Sequence, residues 1–168
     1  MIAEEAPDDI EAIAALNRAA FGGEDEVEIV DRLRRDGLFV LSLVERDADG
    51  IVGHILFSTL DVSVDGRAVR AVALAPMAVA PGRQRESIGS RLVRQGLGML
   101  ADRGYDAVIV LGHPDYYPRF GFSAELAAKL AAPFSGPAFM AMELKPGALA
   151  GASGAVRYPR AFRIDTPA

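Results

Sequence analysis

The segment Leu74-Ala75-Pro76-Met77-Ala78-Val79-Ala80-Pro81-Gly82-Arg83-Gln84-Arg85-Glu86-Ser87-Ile88-Gly89-Ser90-Arg91-Leu92 carries the clearest chemical pattern in the chain. A strand-like run enters a Pro-Gly turn, and the turn opens into a helical pattern. The first N–H groups of a helix lack intrahelical acceptors, and the macrodipole adds partial positive charge there. Phosphate-bearing ligands bind such ends through backbone amides. Ser87, Gly89 and Ser90 are small enough to let a ligand reach the backbone, and Arg83 and Arg85 can add direct charge. The same residues also fit an ordinary capped helix. Neither G-x-x-x-x-G-K-S/T nor G-x-G-x-x-G occurs, so the segment is not a standard nucleotide loop.

Other reactive side chains are few. There is no cysteine, which removes disulfides, thiolate nucleophiles and Cys-ligated zinc together. The two histidines, His54 and His113, are far apart in sequence, and no metal site is expected. His113 follows a short apolar run and precedes Pro114. It reads either as a backbone anchor or helix cap, or as a water-linked base titrating near neutrality. His54 lies in an alternating strand on the same face as Leu56, a position that reads as structural.

The elements that must position these residues follow from periodicity. Ile2 to Ala6 reads as a short strand. Asp8 or Asp9 offers an N-cap to a helix with Ile10, Ile13, Ala14 and Leu16 at helical spacing, broken by Gly22-Gly23. A second helix runs from about Glu24 to Gly37. Leu38–Glu45 and Ile51–Val64 are strands joined by the turn Asp47-Ala48-Asp49-Gly50, and Asp65-Gly66 makes a second such turn. Ala68–Val79 is a third strand, interrupted for ladder bonding at Pro76. A helix from about Ser87 to Arg103 leads to the apolar strand Ala107–Leu111, a βαβ unit that requires a parallel pair. Phe139–Leu144 and a weaker run near Val156–Arg163 complete a mixed α/β or α+β sheet.

Composition narrows the class. The chain has 168 residues, 51% of them hydrophobic, and a formal net charge of -5. That length fits one domain over 1–168, with a core over 2–145 and a tail over 146–168. No apolar run approaches the roughly 20 residues of a membrane span. Glu4 and Glu5 stand where a secretory signal would be basic or apolar. A cytoplasmic, soluble protein is expected, with neither membrane nor nucleic acid as partner. Residues 1–36 hold 11 acids against 4 arginines, an acidic front that would favour a cationic ligand.

Val79-Ala80-Pro81 followed by Gln84-x-x-Ser87-Ile88-Gly89 resembles the acyl-CoA signature of the GNAT superfamily of N-acetyltransferases, Q/R-x-x-G-x-G/A. Ser87 stands where the first glycine is usual. A second stretch, Val110 to Phe122, resembles the family's segment after the parallel strand and ends in a Tyr-x-x-x-Gly-Phe pattern in which Tyr117 matches the tyrosine near the CoA sulfur. The element order from Ile2 to Phe122 also matches the small, single-domain bacterial type.

The resemblance implies a GNAT-like, mostly antiparallel sheet with a splayed parallel strand pair and helices on both faces. It implies acetyl-CoA as acyl donor, with the pyrophosphate on Gln84, Arg85, Glu86, Ser87, Ile88, Gly89 and Ser90. Met77, Ala78 and Val79 would carry the thioester and pantetheine contacts. Tyr117 would be the general acid, with Tyr116 as the alternative. No acid lies between Ala71 and Val79 to serve as base; Glu24, Glu28 and Asp31 could draw in a cationic amine and relay its proton. Phe21, Glu28 and His54 are the candidate acceptor contacts. The expected reaction is direct transfer to a primary amine of a small molecule or peptide, since no cysteine exists to carry an acyl group. A non-catalytic acyl-CoA-binding module is the first rival, and a phosphotransferase the second. Edge strands near the C-terminus leave a homodimer open.

Overall fold

The computed structural model describes residues 1–164. It contains two compact units, each assembled from separate stretches of chain: Met1–Ser58 with Ala75–Gly98, and Thr59–Leu74 with the described residues from Met99 onward. Two strands and one helix contribute to both.

In the first unit, β1 (Ile2–Glu4) pairs antiparallel with β2 (Phe39–Asp47), placing Ile2 opposite Glu45. β2 pairs antiparallel with β3 (Gly50–Val64), with Val44 opposite His54. The predicted turn is a two-residue connection in which Asp47 faces Gly50, whose φ is +96°, a value at which glycine bears no Cβ penalty. Helices α1 (Ile10–Phe21) and α2 (Asp25–Arg35) bury Ile13 and Leu16, and Val27, Val30 and Leu33, at helical spacing, while Ile10, the first residue of the predicted α1 stripe, is exposed. Asp9 occupies the N-cap position of α1 without capping it. Its carboxylate turns back to accept from the Ala6 amide at 2.8 Å and binds Arg46 at 3.0 Å, a correction to the predicted cap.

In the second unit, the first part of β4 (Arg67–Val79) runs parallel to β5 (Ala107–Leu111), with Ala71–Leu74 opposite Ala107–Val110. That pairing stops at Leu74, just before Pro76, which has no N–H to donate. Helix α3 (Ile88–Asp102) joins the two strands. After β5 come α4 (Ala124–Ala127) and β6 (Leu130–Ala131), neither of which the periodicity predicted. β7 (Phe139–Glu143) pairs antiparallel with β5. The last strand, β8 (Gly154–Arg157), begins two residues before the predicted run Val156–Arg163 and ends six residues short of it, since Arg160–Phe162 form a 3₁₀ turn; it pairs antiparallel with the end of β3. It also makes a short parallel contact with β6, a second parallel pair beside the expected one. The sheet is thus mixed and mostly antiparallel, the α/β architecture expected from the sequence.

Candidate active site

The segment between β4 and α3 has the backbone an anion needs. Gly82, Arg85 and Ser87 have φ of +84°, +72° and +64°, so left-handed residues interrupt the turn. Such alternation gathers successive N–H groups into a concavity for anions. None of the N–H groups from Gln84 to Gly89 has a protein acceptor among the described residues, although those before and after do: Arg83 donates to the Ala80 carbonyl at 2.9 Å, and Arg91 to the Ser87 carbonyl at 3.0 Å. Gln84, Arg85, Glu86 and Ser87 are exposed, and Ile88 and Gly89 are buried at the helix start, so both ends of the run are positioned. The usual glycine position holds Ser87 in the left-handed region, which is why glycine suits it.

The arginines divide in role. Arg83 is held by three carboxylates: Asp47 at 2.7 Å, Glu86 at 2.9 Å and Asp49 at 3.2 Å. The hydrogen bonds it donates to Glu86 and Asp47 push its pKa further up. The charge predicted for phosphate contact is therefore already neutralised at Arg83. Arg85 has no ion pair among the described residues. Arg91 forms a two-point pair with the buried Glu45, at 2.7 and 2.8 Å, and donates to the Glu86 carbonyl at 3.0 Å.

Close packing seats this loop. The Ala80 amide donates to the Val52 carbonyl at 2.9 Å. A Cβ on Gly53 would lie 2.6 Å from Ile88 Cγ2 and 2.9 Å from Leu92 Cδ1, so the bare α-carbon lets the first turn of α3 settle on β3. A Cβ on Gly96 would lie 2.7 Å from Phe57 Cζ, repeating the device two turns on. On β4, Ala78 is buried, while Met77 and Val79 are half-buried on the opposite side by strand alternation.

In the second unit, Tyr117 opens a short 3₁₀ turn, Tyr117–Phe120. Its ring is buried edge-on against Tyr116 and Phe122, with centroids 5.2 and 5.6 Å away. Burial, helped by Tyr116, pushes its pKa up to about 12. The hydroxyl makes no hydrogen bond to protein among the described residues. Tyr116 is half-buried and sits under the Arg119 guanidinium, 4.4 Å from the ring centroid. His113 is exposed, and its carbonyl accepts from the Tyr116 and Tyr117 amides at 3.1 and 3.3 Å. These contacts use the His113 backbone alone and leave its imidazole exposed.

The acceptor candidates do not converge. His54 is fully buried, with Nε2 at 3.0 Å from Ser42 Oγ and Nδ1 at 3.3 Å from Asn17 Nδ2. Asn17 Nδ2 also donates to the Ile13 carbonyl, which fixes its amide orientation. Nδ1 of His54 is therefore the acceptor, and Nε2–H donates to Ser42. Burial, with a smaller contribution from Arg34, lowers its pKa to about 3. The expectation that His54 lines an acceptor pocket is corrected: it is a neutral residue of the interior. Phe21 is exposed at the end of α1, and Glu28 is exposed beside Arg32 at 3.6 Å. Glu24 pairs with Arg18, and Asp31 lies 3.8 Å from Arg34. Glu24, Glu28 and Asp31, the acids proposed to draw in a cationic amine, thus each lie beside an arginine.

Several positioning residues escaped the sequence reading: Gly53, Gly96, Glu45, Asp47 and Asn17. Only Gly53 left a usable signal, as an isolated glycine inside a strand pattern.

Comparisons with known proteins identify the family of the chain. The family described as acetyltransferase (GNAT) domain matches residues 2–124. The uncharacterized N-acetyltransferase YhbS of Escherichia coli (strain K12) is 38% identical over 167 residues, covering 96% of this chain and 98% of that one. The crystal structure of YhbS from Escherichia coli in complex with CoA superposes with a TM-score of 0.88 at 36% identity, over 97% of this chain and 91% of that one. A GNAT family acetyltransferase from Brucella melitensis in complex with acetyl-CoA gives a TM-score of 0.79 at 34% identity, over 96% and 97%. The chain belongs to the GNAT family of acetyltransferases.

Proposed function

We propose that this protein transfers an acetyl group from acetyl-CoA directly to a primary amine of a small molecule or peptide. The observation that carries the reading is the run of unpartnered amides from Gln84 to Gly89 at the start of α3. The relatives crystallised with CoA and acetyl-CoA support assigning that run to the pyrophosphate. Arg85 adds the nearby positive charge, and Ser90 closes the group at the first helical turn.

Acetyl-CoA supplies the acyl group as an activated thioester. Met77, Ala78 and Val79, beyond the end of the β4–β5 pairing, orient it and offer amides to its carbonyl oxygen; one such donor is worth about 3–4 kcal/mol in comparable sites. Tyr117 holds the proton for the departing sulfur. With a pKa near 12 it stays protonated across the working range, acting as a strong hydrogen-bond donor that releases its proton only as negative charge builds on sulfur. The His113 carbonyl fixes the turn that carries Tyr117, and its exposed imidazole is the candidate base that takes up the amine's proton through water. No cysteine is present to take the acyl group, so transfer is direct.

The test is a thermal-shift titration with acetyl-CoA, CoA, ATP and NAD, followed by thiol release over an amine panel. A ligand at about 100 times its dissociation constant adds about 2.7 kcal/mol, or roughly 5–10 °C at this length. Acetyl-CoA should give that shift, and Gly89→Glu should abolish it. Binding without thiol release on any amine would leave a non-catalytic acyl-CoA module. A shift with ATP alone would overturn the reading.

A further inference from the structure

A loop that binds a polyanion would be expected to shed negative charge, yet three carboxylates converge on it. Asp47 and Asp49 come from the β2–β3 turn, and Glu86 from the loop itself. Asp47 is doubly engaged. One oxygen accepts from the Asp49 amide at 2.8 Å, and the other meets Arg83 Nη2 at 2.7 Å. The Arg83 hydrogen bond is the main cause that lowers the Asp47 pKa. Arg83 in turn bonds Glu86 through Nε, at 2.9 and 3.0 Å, across the stretch that contains Gln84 and the left-handed Arg85. The Glu86 carbonyl then accepts from Arg91, whose other donors are fixed on buried Glu45. One connected set of ion pairs therefore ties the hairpin tip, the loop and the first turn of α3 together. A left-handed loop with six unpartnered amides has little backbone bonding of its own to hold that shape.

We propose that Asp47 is a positioning residue for CoA binding, acting through Arg83 to hold the Gln84–Gly89 amides in their binding arrangement. Removing this negative charge weakens the binding of a polyanion, the reverse of what simple charge repulsion dictates. Arg83 is an organiser of the loop, and the phosphates are held by backbone amides. The inference rests on the acyl-CoA reading of this loop.

The experiment measures the CoA dissociation constant by calorimetry for the full chain, for Asp47→Asn, for Arg83→Gln and for the double variant. Asp47→Asn keeps the acceptor for the Asp49 amide and loses only the charge. Each single variant should weaken CoA binding about three- to tenfold, the scale of one partly exposed ion pair. The double variant should be no weaker than the worse single one, because both remove the same link. The melting temperature without CoA should stay within about 2 °C of the parent, since surface ion pairs contribute little to global stability. Tighter binding by Asp47→Asn, or unchanged binding by both single variants, would overturn the inference while leaving the acyl-CoA reading intact. Additive losses in the double variant would overturn it too, because Arg83 would then be a phosphate ligand in its own right. Failure of the parent chain to bind CoA would overturn both readings at once.

Discussion

Gly112 leaves its α-carbon bare beneath the ring of Tyr117: a Cβ there would stand 2.8 Å from Cδ2 and 3.3 Å from Cζ. The end of β5 and the turn that carries the proposed proton donor therefore fit only because position 112 has no side chain. Gly112 is also pinned by its own amide, which donates to the Ala138 carbonyl at 2.9 Å. The strand cannot easily retreat, so the ring must move when this space is filled.

Gly112→Ala should accordingly lower the rate of acetyl transfer by about 10–100-fold, because a displacement of about 1 Å at a reacting group costs that much. CoA affinity should change less than about threefold, and stability should fall by about 1–3 kcal/mol from overpacking. The comparison is between kcat for thiol release and the CoA dissociation constant on the same preparation. A normal kcat would show that the Tyr117 ring position does not matter to the chemistry.

Gly53 makes the complementary case for the cofactor loop. Ile88 and Leu92 occupy the volume a methyl group would take, and both are fully buried in the first turns of α3. Gly53→Ala should push that helix start outward and cost about 1–3 kcal/mol. CoA binding should weaken with it, whereas kcat at saturating acetyl-CoA should hold. Pairing Gly53→Ala with Ile88→Leu, which moves the branch off Cβ and so removes the nearest carbon, Cγ2, should recover part of both losses. Melting curves and CoA titrations of the single and double variants provide the check.

Ser87 offers a prediction of opposite sign. A non-glycine residue in the left-handed region costs about 1–2 kcal/mol, partly offset by the greater chain entropy that glycine loses on folding. With φ at +64°, Ser87→Gly should stabilise the protein by about 0.5–1 kcal/mol, equivalent to about 1–4 °C, and should leave CoA binding within about twofold. Ser87→Val, with its branched Cβ, should do the reverse on both counts. If Ser87→Gly lowers the melting temperature, the serine hydroxyl must contribute a hydrogen bond that outweighs its backbone cost.

The loop and the tyrosine turn were legible in the sequence for a physical reason. The function proposed for them depends on backbone amides, small residues and a turn, and these leave local signatures: Pro81-Gly82, Ser87, Gly89 and Ser90 before an apolar helical stripe, and a short apolar strand before Tyr117. What could not be read depends on partners far along the chain. Arg83 looked like a phosphate ligand because its carboxylates, Asp47 and Asp49, lie more than 30 residues earlier; the Arg83–Asp49 separation is 34 and the Arg91–Glu45 separation is 46. His54 kept a place among acceptor contacts until Asn17 and Ser42 closed over both ring nitrogens. The small elements α4 and β6 were missed because four- and two-residue segments carry no period, and β6 exists through its pairing with β8. Asp9 shows the same limit at short range, since a capping sequence says nothing of the Arg46 that draws its carboxylate away.

His54 should also govern how the fold responds to acid. In the folded chain its pKa is lowered to about 3, against 6.5 for the free side chain, with burial the leading cause and Arg34 the lesser one. As pH falls through 6.5, the unfolded chain takes up a proton on this imidazole that the folded chain refuses. Stability is therefore lost on acidification, at up to about 1.4 kcal/mol per pH unit through the window between the two values. The usual carboxylate losses fall mainly below about pH 4, so the stretch from pH 6.5 to 4.5 isolates the histidine. His54→Gln removes the titration while keeping an amide able to meet Ser42 and Asn17. It should have a lower melting temperature at pH 7.5, because the buried network is imperfectly refilled, yet a flatter dependence on pH across that window. The slope is the diagnostic quantity, since a defect of packing alone would shift the whole curve without changing its steepness. Parallel slopes for the parent and His54→Gln would mean that the imidazole reaches a solvent-like pKa in the folded chain, and that the Asn17–His54–Ser42 network opens far more readily than its geometry implies.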